Sequence, residues 1–181
     1  MKKISLFLAV FVTMLALCSC GGKTETKEPV PTIDPSTLLT IDDVALATGY
    51  QPVLDGGAIT TEGNYSKALY LSDPIGQDPV SIEITQYTDD ITPEVVFYAY
   101  DTARALRSSA EEIPELGETA FVAYPSINIY DRGCYIKITA GSGADENQKN
   151  QLLTLARIAV SKFEEQMPAP VIDESTSVEQ K

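Results

Sequence analysis

Few residues in this chain combine the type and spacing that chemistry requires. Histidine is absent, which removes the usual general base, the commonest metal ligand and the side chain that titrates nearest neutral pH. Outside the first twenty residues the only cysteine is Cys134. It has no partner there for an intramolecular disulfide, and no histidine to activate its thiol. A zinc site of cysteine and histidine is excluded for the same reason. Carboxylates form the clusters Asp42/Asp43, Asp89/Asp90 with Glu94, Glu111/Glu112 with Glu115, and Asp145/Glu146. Calcium needs several oxygen ligands, but no cluster has calcium-loop spacing. Three of the four stand at expected helix starts, where carboxylates meet the helix dipole favourably. Glu83 with a second acid could serve glycoside cleavage, yet nothing in the spacing sets two carboxylates across a cleft.

Tyrosine is the other chemistry-bearing type, with nine tyrosines and no tryptophan. Tyr87 and Tyr135 fall on the polar faces of expected strands, beside Glu83, Thr85, Lys137 and Thr139. An open tyrosine surface suits a glycan or protein partner. A helix laid over that face would instead make the same residues part of the core, and packing or partial burial is the expectation. Cys134 alternates with Ile136 and Ile138 and is expected to be a buried small hydrophobe.

The elements that must position these residues can be read from periodicity and punctuation. Thr40 and Asp43 form a capping box for a short helix over 41–48, with Leu39 and Val44 as a hydrophobic staple and Gly49 as its stop. Ser66 to Leu71 and Val80 to Tyr87 read as strands, joined by turn chemistry at Asp73-Pro74-Ile75-Gly76. A further strand is expected near Ile59. Thr92 caps a second helix with Pro93 at its first position, and Val96, Ala99, Tyr100, Ala103 and Leu106 make its apolar stripe. Glu111 to Gly117 reads as a loop. Strands follow at 119–124 and 126–130, separated at Pro125. Asp131-Arg132-Gly133 reads as a hairpin turn leading into a strand over Cys134 to Ala140. A last helix runs from about Asp145 to Gln166, with Leu152, Leu155, Ala156, Ala159 and Phe163 inward. Ile82-Glu83-Ile84-Thr85 is echoed by Ile136-Lys137-Ile138-Thr139, and each precedes an Ala-Arg pair on a helix (Ala103-Arg104, Ala156-Arg157). Segregated strands and helices predict one α+β domain, an antiparallel sheet covered by two longer helices plus a short N-terminal helix.

The first residues carry an address. Lys2 and Lys3 are a positive start, Ile4 to Leu17 is almost wholly apolar, and a small residue, Ser19, follows. That is an export signal, shorter than the roughly 20 residues of a membrane-spanning helix. Leu17-Cys18-Ser19-Cys20 resembles the lipobox of bacterial lipoproteins. The resemblance implies cleavage after Ser19, diacylation of the Cys20 thiol and a membrane-anchored, extracytoplasmic location. Two or more acyl chains hold stably where one does not, since each buried methylene contributes about 0.8 kcal/mol. The expected organisation is a signal peptide over 1–19, lipidated Cys20 and a flexible tether over 20–37, the domain over 38–167, and a disordered tail over 168–181.

Removing residues 1–19 takes away two of 13 basic residues and no acidic one, leaving 11 against 26 acidic and a formal charge of −15. Such a surface repels nucleic acid and anionic headgroups, so DNA and RNA are poor candidate partners. The opening helix over Leu38 to Tyr50, the segment Leu116-Gly117-Glu118-Thr119-Ala120-Phe121 before a hairpin, and the closing amphipathic helix resemble small bacterial lipoproteins with a PsbP-like α+β domain. That resemblance covers most of residues 38–166 and carries no catalytic residues. The expectation is a non-enzymatic binding or interaction module of the cell envelope, with no cofactor and no resident metal. Its partner would be an envelope protein or a glycan. A carboxylate-dependent enzyme on wall glycan and a small-ligand or calcium carrier are the alternatives.

Overall fold

The computed structural model describes residues 30–54, 60–73, 76 and 78–167. The expected export signal, Cys20, most of the tether, Ile59, Pro74-Ile75 and the tail from residue 168 lie outside the described residues. The described chain forms one α+β domain with eight strands in a single antiparallel sheet and four helices. In chain order these are α1 (Pro35–Leu38), α2 (Ile41–Thr48), β1 (Gln51–Leu54), β2 (Thr60–Glu62), β3 (Tyr65–Asp73), β4 (Val80–Gln86), α3 (Pro93–Ala105), β5 (Glu111–Glu112), β6 (Thr119–Ala123), β7 (Ser126–Asp131), β8 (Cys134–Ala140) and α4 (Glu146–Gln166). The strand order is β1-β3-β4-β8-β7-β6-β5, with β2 also pairing on β3.

Local chemistry explains where the elements start and stop. The capping box of α2 is complete: Thr40 Oγ1 accepts from the Asp43 backbone, and Asp43 Oδ2 accepts from the Thr40 N–H at 2.7 Å. Gly49 ends α2 in the left-handed conformation at φ 78°. Asp145 caps α4 through Gln148 N at 2.9 Å. Thr92 makes no side-chain cap bond, so α3 starts on Pro93 at its first position alone. Arg132 (φ 47°) and Gly133 (φ 78°) carry the two positive φ values that a two-residue hairpin requires between β7 and β8.

Alternation along the strands separates two faces. Ala68, Tyr70, Val80, Ile82, Ile84, Cys134, Ile136, Ile138, Ile127 and Ile129 line one face under Leu38, Leu39, Val44, Leu152, Leu155, Ala159 and Phe163. Burying one such aliphatic side chain contributes about 1.5–3 kcal/mol, so this face dominates the fold. The echoed segments are neighbours there: β4 and β8 pair with Ile82 opposite Ile138 and Ile84 opposite Ile136. Their two helices pack on opposite faces, α4 with the aliphatic set and α3 over β8, β7 and β4 on the other. There Val96 and Tyr100 pack with Phe121, Ala123 and Tyr130.

Four expectations need correction. The segment ahead of residue 38 is not free up to its end. Ile33 is buried, its N–H donates to Gln86 Oε1 at 3.0 Å, and Gln86 Nε2 donates to Pro31 O at 3.0 Å. Ser66 Oγ donates to Ile33 O at 3.2 Å, and α1 follows at once, capped by Asp34. One buried isoleucine among prolines and acids has no period to betray it. The stripe of α3 is also narrower than its sequence suggests. Val96 and Tyr100 are buried, whereas Ala99 is exposed and Leu106 is 81% exposed. The short strand β5 replaces loop at Glu111–Glu112, where it pairs with Phe121 and Val122. In the region around Ile59, two short strands, β1 and β2, flank the undescribed residues 55–59.

Candidate functional site

The face beneath α3 carries most of the chemistry-bearing residues, because strand alternation puts Glu83, Thr85 and Tyr87 of β4 and its end on the same side as Tyr135, Lys137 and Thr139 of β8. Tyr135 stands opposite Tyr130 across the β7–β8 hairpin. Around them the rings interlock: Phe97 meets Tyr130 edge-on at 4.9 Å, Tyr100 meets Tyr135 edge-on at 5.7 Å, and Tyr100 lies 5.3 Å from Phe121. Such tilted pairs add about 0.5–1.5 kcal/mol each beyond burial. The hydroxyls are used too. Tyr135 donates to Asn128 Oδ1 at 2.8 Å, Tyr130 to Pro93 O at 3.3 Å, and Tyr100 bonds Thr119 Oγ1 at 3.1 Å. Burial pushes the Tyr135 hydroxyl up to about 12, so it stays protonated at neutral pH.

At the hairpin end of α3 this aromatic layer opens into a pocket of about 400 Å³ lined by Tyr87, Pro93, Tyr130, Gly133 and Met167, with Glu118 and Arg132 beside them. A concave apolar site with a few polar groups is the usual form of a ligand site. Its shape depends on Gly133, where an added Cβ would lie 2.7 Å from the Tyr87 ring and 3.3 Å from Pro93 Cβ. Arg132 fixes the floor. Its N–H donates to Glu118 Oε1 at 3.0 Å, and its guanidinium donates to Glu164 O at 2.9 Å and to Met167 O, holding the carboxyl end of α4. Next to it Asp131 is buried with Oδ2 lacking a hydrogen-bond partner. Burial raises its carboxyl above the usual aspartate range, Arg132 pulls it back, and the charges of Glu118 and Glu164 raise it further.

The outer half of the same sheet face is polar. Glu83 sits between Lys67 and Lys137, with both ammonium groups at 3.4 Å. The strand register imposes this, since Glu83 is directly opposite both lysines. Tyr65 lies alongside, its hydroxyl pushed up to about 12 by burial and then by the negative charge of Glu83. Ser126 and Thr139 bond to each other at 2.8 Å nearby.

The sequence-derived candidates therefore separate. Tyr87 and Tyr135 are both partly buried against the α3 cluster, with Tyr87 on the pocket wall and Tyr135 beneath the helix. The acidic clusters do not converge. Asp43 caps α2 and binds Lys162, Asp145 caps α4, Glu111 binds Lys149 at 3.0 Å, and Glu112 binds Arg104. Among the described residues no group of three or more acidic or cysteine side chains is placed to hold a metal. Cys134 is fully buried, and burial pushes its thiol up to about 12. Pro93 and Arg132 read from sequence only as helix start and hairpin turn, and Tyr130 and Met167 are not singled out there. The available signal was Tyr130 and Tyr135 flanking the turn, which sets two aromatic rings side by side whenever that hairpin closes.

Compared with known proteins, the chain matches no family model, no curated protein and no solved structure.

Proposed function

We propose that this chain is a lipid-anchored lipoprotein of the cell envelope that acts as a non-enzymatic binding module, taking an extended polypeptide segment of a partner at the pocket between α3 and the β7–β8 turn. The observation that carries the reading is that pocket: tyrosine and proline walls, a glycine floor, and charged groups only at Glu118 and Arg132. Tyrosine walls offer large contact area at low cost in side-chain entropy. Arg132 already bonds through its N–H to Glu118 and through its guanidinium to the end of α4, so the floor is preorganised. Preorganisation reduces the ordering cost of binding. Glu83, the acid considered for glycan cleavage, has its oxygens held by two lysines, which favours a structural role for it.

The anchor reading rests on Leu17-Cys18-Ser19-Cys20 and the apolar run before it. Among the described residues no helix is long and apolar enough to cross a membrane. Ten residues lie between Cys20 and Pro31, a reach of at most about 40 Å. Pro31 is bonded to Gln86, the neighbour of the pocket residue Tyr87, so a lipid on Cys20 would attach the domain at its pocket end.

The test combines two readouts in native membranes. Labelled palmitate should appear on the wild-type chain and vanish in Cys20→Ala. A photocrosslinking residue in place of Tyr87 should capture a defined envelope protein, and the capture should fall at least tenfold when Pro93→Glu puts a charge on the pocket wall at a helix start that accepts a carboxylate. Turnover of wall glycan abolished by Glu83→Gln would overturn the non-enzymatic reading, and unchanged membrane retention of Cys20→Ala would overturn the anchor.

A further inference from the structure

We propose that the pocket has a resident occupant, this chain's own segment Pro168-Ala169-Pro170-Val171-Ile172, which lies across the Tyr87–Tyr130 walls and must be displaced before a partner's segment enters. The proposal rests on the reading of the pocket as a site for extended peptide. Its first support is connectivity. Helix α4 ends at Gln166, and the next residue, Met167, lines the pocket itself, so the segment is joined directly to a residue of the lining. Fourteen residues follow Met167. A segment joined this closely has an effective concentration of order millimolar, so contacts too weak for a free peptide suffice.

The second support is chemical match. Two prolines spaced by one residue, then valine and isoleucine, carry no charge and favour the polyproline II conformation. Aromatic-lined grooves bind that conformation because it has little freedom left to lose. Met167 itself has φ −116° and ψ 84°, outside the helical region, as the residue before a proline requires.

The third support is charge and length. The apolar run ends at Asp173-Glu174, six and seven residues beyond Met167, or about 19–22 Å at the polyproline rise. Pro93 lines the pocket, and Arg104 lies eleven residues further along α3, about 17 Å by the helical rise, with Arg107 two residues beyond the end of the helix. Close to the pocket, the first turns of α3 expose Val95, Phe97 and Tyr98, apolar surface that the segment meets as it leaves Met167.

The experiment follows backbone order by NMR in the soluble chain 20–181 carrying Cys20→Ala, with and without the double substitution Pro168→Ser/Pro170→Ser. Residues 169–172 should show order parameters near the rigid value of about 0.85, falling below about 0.6 in the double variant. The amides of Tyr87, Gly133 and Phe97 should shift together. A free peptide of residues 168–176 should bind the double variant at least tenfold more tightly than the parent. Equal mobility of 169–172 in both chains overturns the resident occupant. If the peptide then binds both equally, the peptide-site reading survives without it. If the peptide binds neither and the Tyr87 crosslinker captures no partner, both readings fail.

Discussion

The two faces of the sheet are made by the same strands yet obey different rules. The face under α4 is aliphatic and closed, with Ile82, Ile84, Ile127, Ile136, Ile138, Leu155 and Phe163 fully buried. The face under α3 is aromatic where the helix lies and ionic where it does not, and its helix points Val95, Tyr98 and Leu106 into solvent at 57%, 72% and 81% exposure. A surface helix normally turns a polar side outward. The difference teaches that one face fixes the fold, whereas the other carries polar chemistry, open volume and apolar surface that the fold itself does not require.

The comparison breaks most readily at its aliphatic side. Ile138→Ala should cost about 3 kcal/mol, with a drop in denaturation midpoint at unchanged slope, because it opens a cavity between β4, β7 and α4. A loss below about 1 kcal/mol would mean that this face is not the stabilising one. On the aromatic side Tyr135→Phe should cost about 1–2 kcal/mol, since it leaves buried Asn128 without the hydroxyl it now bonds. Calorimetric melting resolves that difference, and an effect as large as that of Ile138→Ala would erase the contrast between the faces.

Two acids sharpen it further. Asp43→Ala should remove about 1 kcal/mol by deleting the cap of α2. Burial raises the Asp43 carboxyl, but bonds from Lys162 and Thr40 outweigh burial and leave it below the usual value. A lowered acid stabilises above its unfolded pKa of about 3.9, and the contribution is lost as pH falls through the folded value. The gap between wild type and variant should therefore close in acid. Asp131 behaves oppositely. Its raised value means that ionisation opposes folding, so its contribution is favourable only at low pH and is lost as pH rises through the folded value. Asp131→Asn should raise the melting temperature at neutral pH, and the gain should vanish below about pH 4. The smallest effect belongs to Lys67→Ala, within about 0.5 kcal/mol, because surface ion pairs contribute little. A larger loss in a urea titration would give the Glu83 patch a structural weight that its exposure does not suggest.

Much of the fold could be read from the chain because its signals are local. Thr40 with Asp43, Gly49, and Arg132-Gly133 each determine a boundary by backbone chemistry that needs no distant partner. The inward stripe of α4 is legible because Leu152, Leu155, Ala156, Ala159 and Phe163 repeat with the helical period. What escaped depends on tertiary partners. Ile33 is buried only because Gln86 and Ser66 receive its backbone. Leu106 fits the inward period, but α3 ends at Ala105 and leaves it as an exposed cap residue. Tyr87 and Tyr135 were visible as polar-face tyrosines, while the pocket also needed Met167 from the far end of α4, which no spacing connects to residue 87.

The grip of Gln86 on Pro31 and Ile33 has a mechanical consequence. A tether pulling on the chain ahead of Pro31 delivers its load first to two side-chain amide hydrogen bonds from Gln86 and the Ser66 hydroxyl bond to Ile33 O. Those bonds are few and can break in succession, whereas β4 is held along its length by β3 on one side and β8 on the other. Tension along β4 must shear many ladder bonds at once, because antiparallel bonds run across the strand. The grip therefore yields before the sheet does. Releasing Pro31 to Ile33 would lengthen the leash by about 10 Å at the extended rise, a small sacrificial slack ahead of α1, whose Leu38 stays locked in the core.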